Sequence, residues 1–161
     1  MFTGIVQEIG EVKAIVGNID GVTLQVYAPH VADICTVGSS VCVHGICLTV
    51  TQKQNHNLTF VVMAETLKKT VLGKWLKGTK VNVESSLHAG DEIGGHFVFG
   101  HVDSVGVITC IESEGDALLI TVEPPKEMMK WFCPKGSVTI DGTSLTIAKL
   151  DKDNFTVSLI S

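Results

Sequence analysis

The feature that most constrains this chain is an internal repeat. The pattern Gly-x-x-Leu-Thr-(Val/Ile) in segment 45–50 returns in segment 142–147, which lies 97 positions later (45 to 142, 48 to 145). Near the N-terminus, segment 4–6 returns as segment 100–102, 96 positions later, so one inserted residue reconciles the two offsets. Self-similarity at a fixed distance indicates a duplicated structural unit. We therefore expect two similar domains, at 1–93 and 94–161.

Both copies contain short runs of apolar and β-branched residues between turn-forming Gly, Asn and Asp. Such runs, about 8 to 15 residues apart and without sustained helical periodicity, predict an all-β fold of antiparallel sandwiches or small closed barrels. Short helices are predicted at 29–34, 65–72 and 124–131. The predicted strands are 12–16, 22–26, 41–43, 58–62 and 80–84 in the first copy, and 105–108, 118–122, 138–140 and 155–159 in the second.

The two copies are unequal in length. The first continues past Ala64 into the predicted helix and strand 80–84, whereas the second stops at Ser161, which the 97-residue offset places opposite Ala64. A β-barrel closes only when every edge strand is paired. We therefore expect the second barrel to be incomplete at the C-terminus, with an exposed edge that another chain could pair with.

Composition excludes several classes of function. The 161-residue chain has a formal net charge of −5 and no basic cluster longer than Lys68-Lys69, which argues against a nucleic-acid partner. The N-terminus lacks the pattern of a signal peptide, and no apolar run approaches the length of about 18 residues needed for a membrane span. We expect a cytoplasmic protein that binds neither nucleic acid nor membrane.

The five cysteines fit reduced thiols better than disulfides or a zinc site, because their number is odd and no CxxC pair occurs. Phosphate-loop, dinucleotide-binding and α/β-hydrolase motifs are also missing from the sequence. Cys42 and His44 are predicted to share a strand face, but a metal site needs further ligands that the spacing does not supply. We expect no metal site.

Two histidines, His96 and His101, lie among glycines at the junction of the copies. Imidazoles titrate near neutral pH and are suited to proton transfer. Their separation places them on opposite faces of a predicted strand, so one of them could face a ligand while the other is structural. A simple hydrogen-bonding role near a turn is an equally good interpretation for each.

Polar residues occupy matching positions in the two copies and differ between them. Cys47 corresponds to Ser144, and His44 corresponds to Asp141. Divergence at such positions suggests two related pockets with different tasks. Cys47 is either a nucleophile or a buried inert thiol, and the Ser144 hydroxyl either reacts or bonds to backbone.

In this order along the chain, several motifs resemble those of the riboflavin synthase family. They are the opening Met1-Phe2-Thr3-Gly4-Ile5-Val6, the runs Gly45-Ile46-Cys47-Leu48-Thr49-Val50 and Glu65-Thr66-Leu67, the stretch from Gly94-Gly95-His96 to Gly100-His101-Val102, and Asp141-Gly142-Thr143-Ser144-Leu145-Thr146.

The resemblance implies an enzyme that dismutates two molecules of 6,7-dimethyl-8-ribityllumazine by moving a four-carbon unit, giving riboflavin and 5-amino-6-(ribitylamino)pyrimidinedione without a cofactor. It implies two similar antiparallel Greek-key β-barrels and, for the complete family member, a C-terminal helix that assembles a homotrimer. This shortened chain is then expected as a monomer or an altered oligomer.

The resemblance also implies two pockets and four catalytic candidates. The candidates for acid or base catalysis are Cys47, His101, Asp141 and Ser144, and His101→Ala is expected to lower turnover more than ligand affinity. The first-barrel pocket would use Gly4, Ile5, Val6, Cys47, Leu48, Thr49, Val61, Val62, Met63, Ala64, Glu65, Thr66, Gly100, His101 and Val102. The second-barrel pocket would use Lys135, Ser144, Leu145, Thr146, Ser158, Leu159, Ile160 and Ser161.

Two alternatives remain open at this point. One is a non-catalytic carrier of lumazine or flavin with the same fold, similar to the lumazine-carrying antenna proteins. The other is a structural or interaction domain whose polar residues are only satisfied turn groups. Retention of His96, His101, Cys47 and Ser144 favours the enzyme.

Overall fold

The computed structural model describes residues 1–160, which form two antiparallel β-sheets and short helical segments. The strands are β1 Glu8–Asn18, β2 Gly21–Tyr27, β3 Ser40–Val43, β4 Ile46–Gln54, β5 Asn57–Met63, β6 Lys80–Ser85, β7 Val107–Glu114, β8 Ala117–Glu123, β9 Ser137–Ile140, β10 Thr143–Leu150 and β11 Phe155–Ile160. The helices are α1 Pro29–Ile34 and α2 Ala64–Lys69, with 3₁₀ turns at Val71–Lys74 and Lys126–Trp131.

The first copy is a closed barrel with the strand order β1-β2-β5-β4-β3-β6. Its strands alternate between the two faces, because successive side chains of a strand point in opposite directions. In β5, for example, Leu58, Phe60 and Val62 are buried in the barrel, whereas Val61 and Met63 are exposed. The predicted all-β fold is confirmed for this copy.

Strand β6 closes the barrel by pairing with β1 on one side and β3 on the other. Val81 and Val83 of β6 are buried in the core. On the neighbouring strand β1, hydrogen bonds from Lys13 and, to a smaller extent, from Lys80 lower the pKa of the Glu11 carboxyl to about 2. Because strand residues alternate, Asn82 of β6 faces outward, where its side chain donates to the Asp141 carbonyl. The outer face of β6 is thus in contact with the second copy.

The second copy is an open five-stranded sheet with the order β7-β8-β11-β10-β9. Within residues 1–160, no strand occupies the place between β7 and β9 that β6 takes between β1 and β3. A cavity of about 960 Å³ lies there, lined by residues that include Ile108, Phe155 and Trp131. Every residue of β7 is exposed. The prediction of an incomplete second barrel is confirmed.

Several predicted element bounds were wrong, and the predicted strands did not include β4 or β10. The helix expected at 65–72 is broken at Thr70, whose hydroxyl donates to the Thr66 carbonyl and accepts from the Leu72 amide. The helix expected at 124–131 is a 3₁₀ turn that begins only after the two prolines, and the strand expected at 105–108 begins at Val107. No helix among the described residues has both the length and the apolar character needed to cross a bilayer.

Extended segments from the two copies cross between the sheets. Phe2 and Val98 form an antiparallel bridge in which each amide donates to the other's carbonyl, at 2.7 and 3.0 Å. The turns between β3 and β4 and between β9 and β10 meet beside them, where a Cβ on Gly45 would lie 3.0 Å from the Gly142 amide nitrogen. Corresponding parts of the repeat therefore face one another.

Candidate functional site

Two candidate sites lie where a segment of one copy contacts the other copy, one site around Ser144 and the other around Cys47. The Gly4 carbonyl accepts a hydrogen bond from the Ser144 amide at 2.7 Å, and the Gly100 carbonyl accepts one from the Cys47 amide at 2.8 Å. Each site thus combines the start of a long strand from one copy with a glycine segment from the other. The expectation that Gly4 lies in the first-barrel pocket was wrong. The chain crosses at Phe2 and Val98, so Gly4 contacts Ser144 in the second copy.

Both glycines are required by their surroundings. Gly4 has φ +76° and Gly100 has φ +74°, in the left-handed region that side chains disfavour. A Cβ on Gly4 would lie 2.7 Å from Ser144 Cβ, and one on Gly100 would lie 2.7 Å from Cys47 Cβ. The glycines therefore hold the backbone in direct contact with Ser144 and Cys47.

In the second copy, His96 joins two hydroxyl groups. Its Nδ1 lies 2.7 Å from Ser144 Oγ, and its Nε2 lies 3.0 Å from Thr139 Oγ1. Because hydroxyls both donate and accept, the ring can hold its proton on either nitrogen. In one tautomer Ser144 donates to Nδ1 while Nε2 donates to Thr139. The arrangement is suited to taking up a proton and passing it between a ligand and the imidazole.

Burial lowers the pKa of His96 below its ordinary value of 6.5. The neutral ring, which can accept a proton, therefore persists at more acidic pH than in a free imidazole. We expect the acidic limb of the turnover profile to lie below pH 6.5, with activity lost as the pH falls through the lowered pKa. A pH profile of kcat measures this limb. A midpoint above 6.5 would contradict the assignment of His96 as the proton acceptor.

Strand-face assignments for three polar residues were wrong. Residues 94–106 form no regular strand apart from the bridge at Val98, so His96 and His101 do not lie on opposite faces of one. His44 lies in a turn with φ 53°, whereas Cys42 is inside the sheet. Within the part of the chain that the structure describes, no three His, Cys, Asp or Glu side chains are grouped to hold a metal ion.

In the first copy, Cys42 and Cys47 occupy the positions that correspond to Thr139 and Ser144. Burial raises the pKa of the Cys42 thiol to about 12, so it stays protonated and unreactive. Cys47 is half-buried beside Gly100. The two copies thus present different chemistry at matching positions, two hydroxyls and an imidazole in the second and two thiols in the first.

A slot opens between neighbouring strands in each copy. The ladder between β4 and β5 ends at Val50 and Phe60, and no backbone pairing joins segment 46–49 to segment 61–63. Val61 and Met63, on the outer face of β5, are 55% and 64% exposed. The slot offers unpaired backbone edges and an apolar surface, which together suit a planar heterocycle with its own donors and acceptors.

The second copy repeats this slot between β10 and β11. Their ladder ends at Ile147 and Val157, although β10 begins at Thr143 and β11 runs to Ile160. Lining residues named from the sequence border it, namely Leu145, Thr146, Ser158, Leu159 and Ile160. Ser161, also named there, lies outside the described residues.

Lys135 stands at a strained backbone position beside the second slot. It has φ 64°, and its amide donates a hydrogen bond to the Ile147 carbonyl. In the first copy, Gly38 has φ 93°, and its amide donates in the same way to the Val50 carbonyl. The structure therefore matches Lys135 with Gly38, which lies 97 positions earlier. A lysine held in the left-handed region costs energy that a glycine at the same position would avoid.

The remaining candidates Asp141 and His101 line the same cavity as His96 but form no hydrogen bond with the Ser144–His96 pair. Asp141 is in the turn between β9 and β10, where its carboxylate lies 3.4 Å from His44 Nε2. His101 is exposed and makes no side-chain hydrogen bond to the described residues. The contact of His96 with Ser144 joins residues 48 positions apart, so sequence spacing gave no signal for it.

Comparison with known proteins gives a consistent result. The lumazine binding domain family matches residues 3–86 and 99–161. The riboflavin synthases of Schizosaccharomyces pombe and Bacillus subtilis are each 40% identical, over 100% and 99% of this chain and 78% and 74% of theirs. The crystal structure of LumP complexed with riboflavin superposes with a TM-score of 0.91 at 25% identity, over 99% of this chain and 87% of that one. The chain therefore belongs to the riboflavin synthase family, which is built from the lumazine binding domain.

Proposed function

We propose that this chain is a riboflavin synthase, which converts two molecules of 6,7-dimethyl-8-ribityllumazine into riboflavin and 5-amino-6-(ribitylamino)pyrimidinedione in the last step of riboflavin biosynthesis. The observation that carries the proposal is the 40% identity with riboflavin synthases over the whole chain. The two slots supply a second argument, because a reaction between two copies of one substrate suits two related sites.

The reaction is a transfer between two identical molecules. One lumazine gives up the four carbons of its C6 and C7 positions with their methyl groups, and the other receives them. The two substrates supply every atom of both products, so the step needs no external oxidant or reductant. Orientation of the two rings supplies much of the rate, and proton transfer supplies a further part.

His96 and Ser144 are the groups that we place at the proton transfer. The C7 methyl of a lumazine is acidified by conjugation with the ring, so its proton can pass to a neutral imidazole. The lowered pKa of His96 keeps the ring neutral, and Ser144 Oγ at 2.7 Å can relay or donate a proton. Cys47, His101 and Asp141 remain further candidates.

Each copy of the repeat is proposed to bind one lumazine in its slot, with domain boundaries at 1–93 and 94–161. The first slot would use Cys47, Leu48 and Thr49, segment 61–66 and segment 100–102. The second would use segment 4–6, Lys135, segment 144–146 and segment 158–161. A homotrimer in the cytoplasm is part of the proposal and rests on the family resemblance.

A non-catalytic carrier is the second candidate, because LumP has the same fold and was crystallised with riboflavin. Mixing the purified protein with the lumazine and recording riboflavin absorbance over time separates the two. We expect riboflavin to accumulate over many turnovers. Tight binding of unchanged lumazine would indicate a carrier, and neither binding nor product would indicate a structural domain. Light scattering in parallel gives the oligomeric state.

A further inference from the structure

One charged group is buried between the two copies. Glu84 of β6 is only 4% exposed, and its carboxylate bonds exclusively to the N-terminal segment among the described residues. Oε1 accepts from the Thr3 amide and the Thr3 hydroxyl, both at 2.7 Å, and Oε2 accepts from the Gly4 amide at 3.0 Å. No Lys, Arg or His among residues 1–160 forms an ion pair with it. Neutral donors alone therefore compensate the burial of this carboxylate.

The segment that Glu84 holds is the one that supports the second site. The Gly4 carbonyl accepts from the Ser144 amide at 2.7 Å, and the Thr3 carbonyl accepts from the His96 amide at 3.0 Å. Both partners of the Ser144–His96 contact are thus hydrogen-bonded through their backbone to the two residues that Glu84 fixes. A shift of this segment would change the 2.7 Å separation between Ser144 Oγ and His96 Nδ1.

A carboxylate suits this position better than its amide. All three groups that face Glu84 are donors toward it, and the Thr3 hydroxyl also accepts from the Ile5 amide at 3.1 Å, which orients its proton toward Glu84. A glutamine has one acceptor oxygen and one NH₂ group, so its NH₂ would face a backbone N–H in either orientation. At least one buried donor would lose its partner.

We propose that Glu84 is a positioning residue, which aligns the Ser144–His96 pair by fixing Thr3 and Gly4. This inference rests on the proposed function for its kinetic consequence but not for its geometry. Glu84 contacts neither Ser144 nor His96, and lumazine affinity is shared among all the strand edges of the slot, so the main effect of Glu84 is expected on kcat.

The kinetic test uses Glu84→Gln, with Glu112→Gln as the matched control, because Glu112 is an exposed carboxylate on β7. We expect Glu84→Gln to lower kcat by about tenfold or more while KM changes by less than about threefold. In a Ser144→Ala background the same change should cost less than about twofold, because the contact between Ser144 Oγ and His96 Nδ1 that Glu84 aligns no longer exists. Glu112→Gln should leave kcat unchanged. Wild-type kcat in Glu84→Gln, or losses that multiply in the double variant, would overturn the proposal.

A spectroscopic test separates this inference from the proposed function. NMR titration of His96 should give a pKa closer to 6.5 in Glu84→Gln than in the wild type, because the loosened segment admits water to the ring. This holds whether or not the wild type makes riboflavin, and an unchanged titration would overturn the inference. If Glu84→Gln does not fold, Thr3→Val is the second variant. It removes the hydroxyl that donates to Glu84 and accepts from the Ile5 amide, keeps both backbone N–H bonds to Glu84, and should change both readouts in the same directions.

Discussion

Replacing Gly4 with alanine is expected to reduce riboflavin formation by more than about a hundredfold, and to destabilise the protein by about 3 kcal/mol or more. The left-handed conformation alone costs an alanine about 1 to 2 kcal/mol. The new Cβ would in addition overlap the Ser144 backbone nitrogen and Cβ, both 2.7 Å away. The contact can be relieved only if Gly4 separates from Ser144, which breaks the hydrogen bond that builds the second site.

Gly78→Ala is the matched control for this variant. Gly78 has φ +94°, so an alanine there meets the same conformational penalty, but no atom lies within 4 Å of its Cβ position. We expect a loss of stability of about 1 to 2 kcal/mol and wild-type kcat. Chemical denaturation and steady-state assays on both variants measure the two effects. Equal kcat for Gly4→Ala and Gly78→Ala would show that the Gly4–Ser144 contact does not support the reaction.

Removal of the His96 imidazole is expected to lower kcat by about 10² to 10⁴, the usual contribution of a positioned acid or base. His96→Ala also leaves Ser144 Oγ without its 2.7 Å partner. The lumazine affinity should change by less than about threefold, because the slot is formed by strand edges rather than by the imidazole. Single-turnover assays with titration of lumazine fluorescence separate the two quantities.

Two further variants define the role of His96. His96→Gln can keep a hydrogen bond to Ser144 but cannot take up a proton near neutral pH, so it should be almost as slow as His96→Ala. His30→Ala removes an exposed imidazole on α1 and should react at the wild-type rate. Recovery of kcat by glutamine would reduce His96 to an orienting group and leave the proton acceptor to be sought at His101 or Cys47.

Much of the fold follows from local patterns in the sequence. Short runs of apolar and β-branched residues predicted nine of the eleven strands within residues 1–160 but not β4 and β10, and the 97-residue offset predicted an incomplete second barrel. The motifs from Met1-Phe2 to Asp141-Gly142 predicted the family. These features depend on neighbouring residues or on comparison of the chain with itself, so no knowledge of tertiary contacts was needed.

The composition of the site could not be predicted in the same way. A repeat shows which residues correspond, such as Gly4 and Gly100, but not that each of them packs on the other copy. The contact of His96 with Ser144 depends on that crossing, and so does the burial of Glu84. In the strand sequence Lys-Val-Asn-Val-Glu-Ser, alternation alone would predict that Glu84 is an exposed surface residue. His101 has the same residue type and a similar setting as His96, and only the tertiary structure distinguishes them.

The most direct test of the proposed activity is a product balance. The purified protein is incubated with 6,7-dimethyl-8-ribityllumazine under anaerobic conditions without metal or cofactor, and substrate and products are quantified by chromatography. A riboflavin synthase must consume two lumazines for each riboflavin and release one 5-amino-6-(ribitylamino)pyrimidinedione, because the four-carbon unit passes between identical molecules. Recovery of unchanged lumazine, or riboflavin without an equal amount of the pyrimidinedione, would contradict the account.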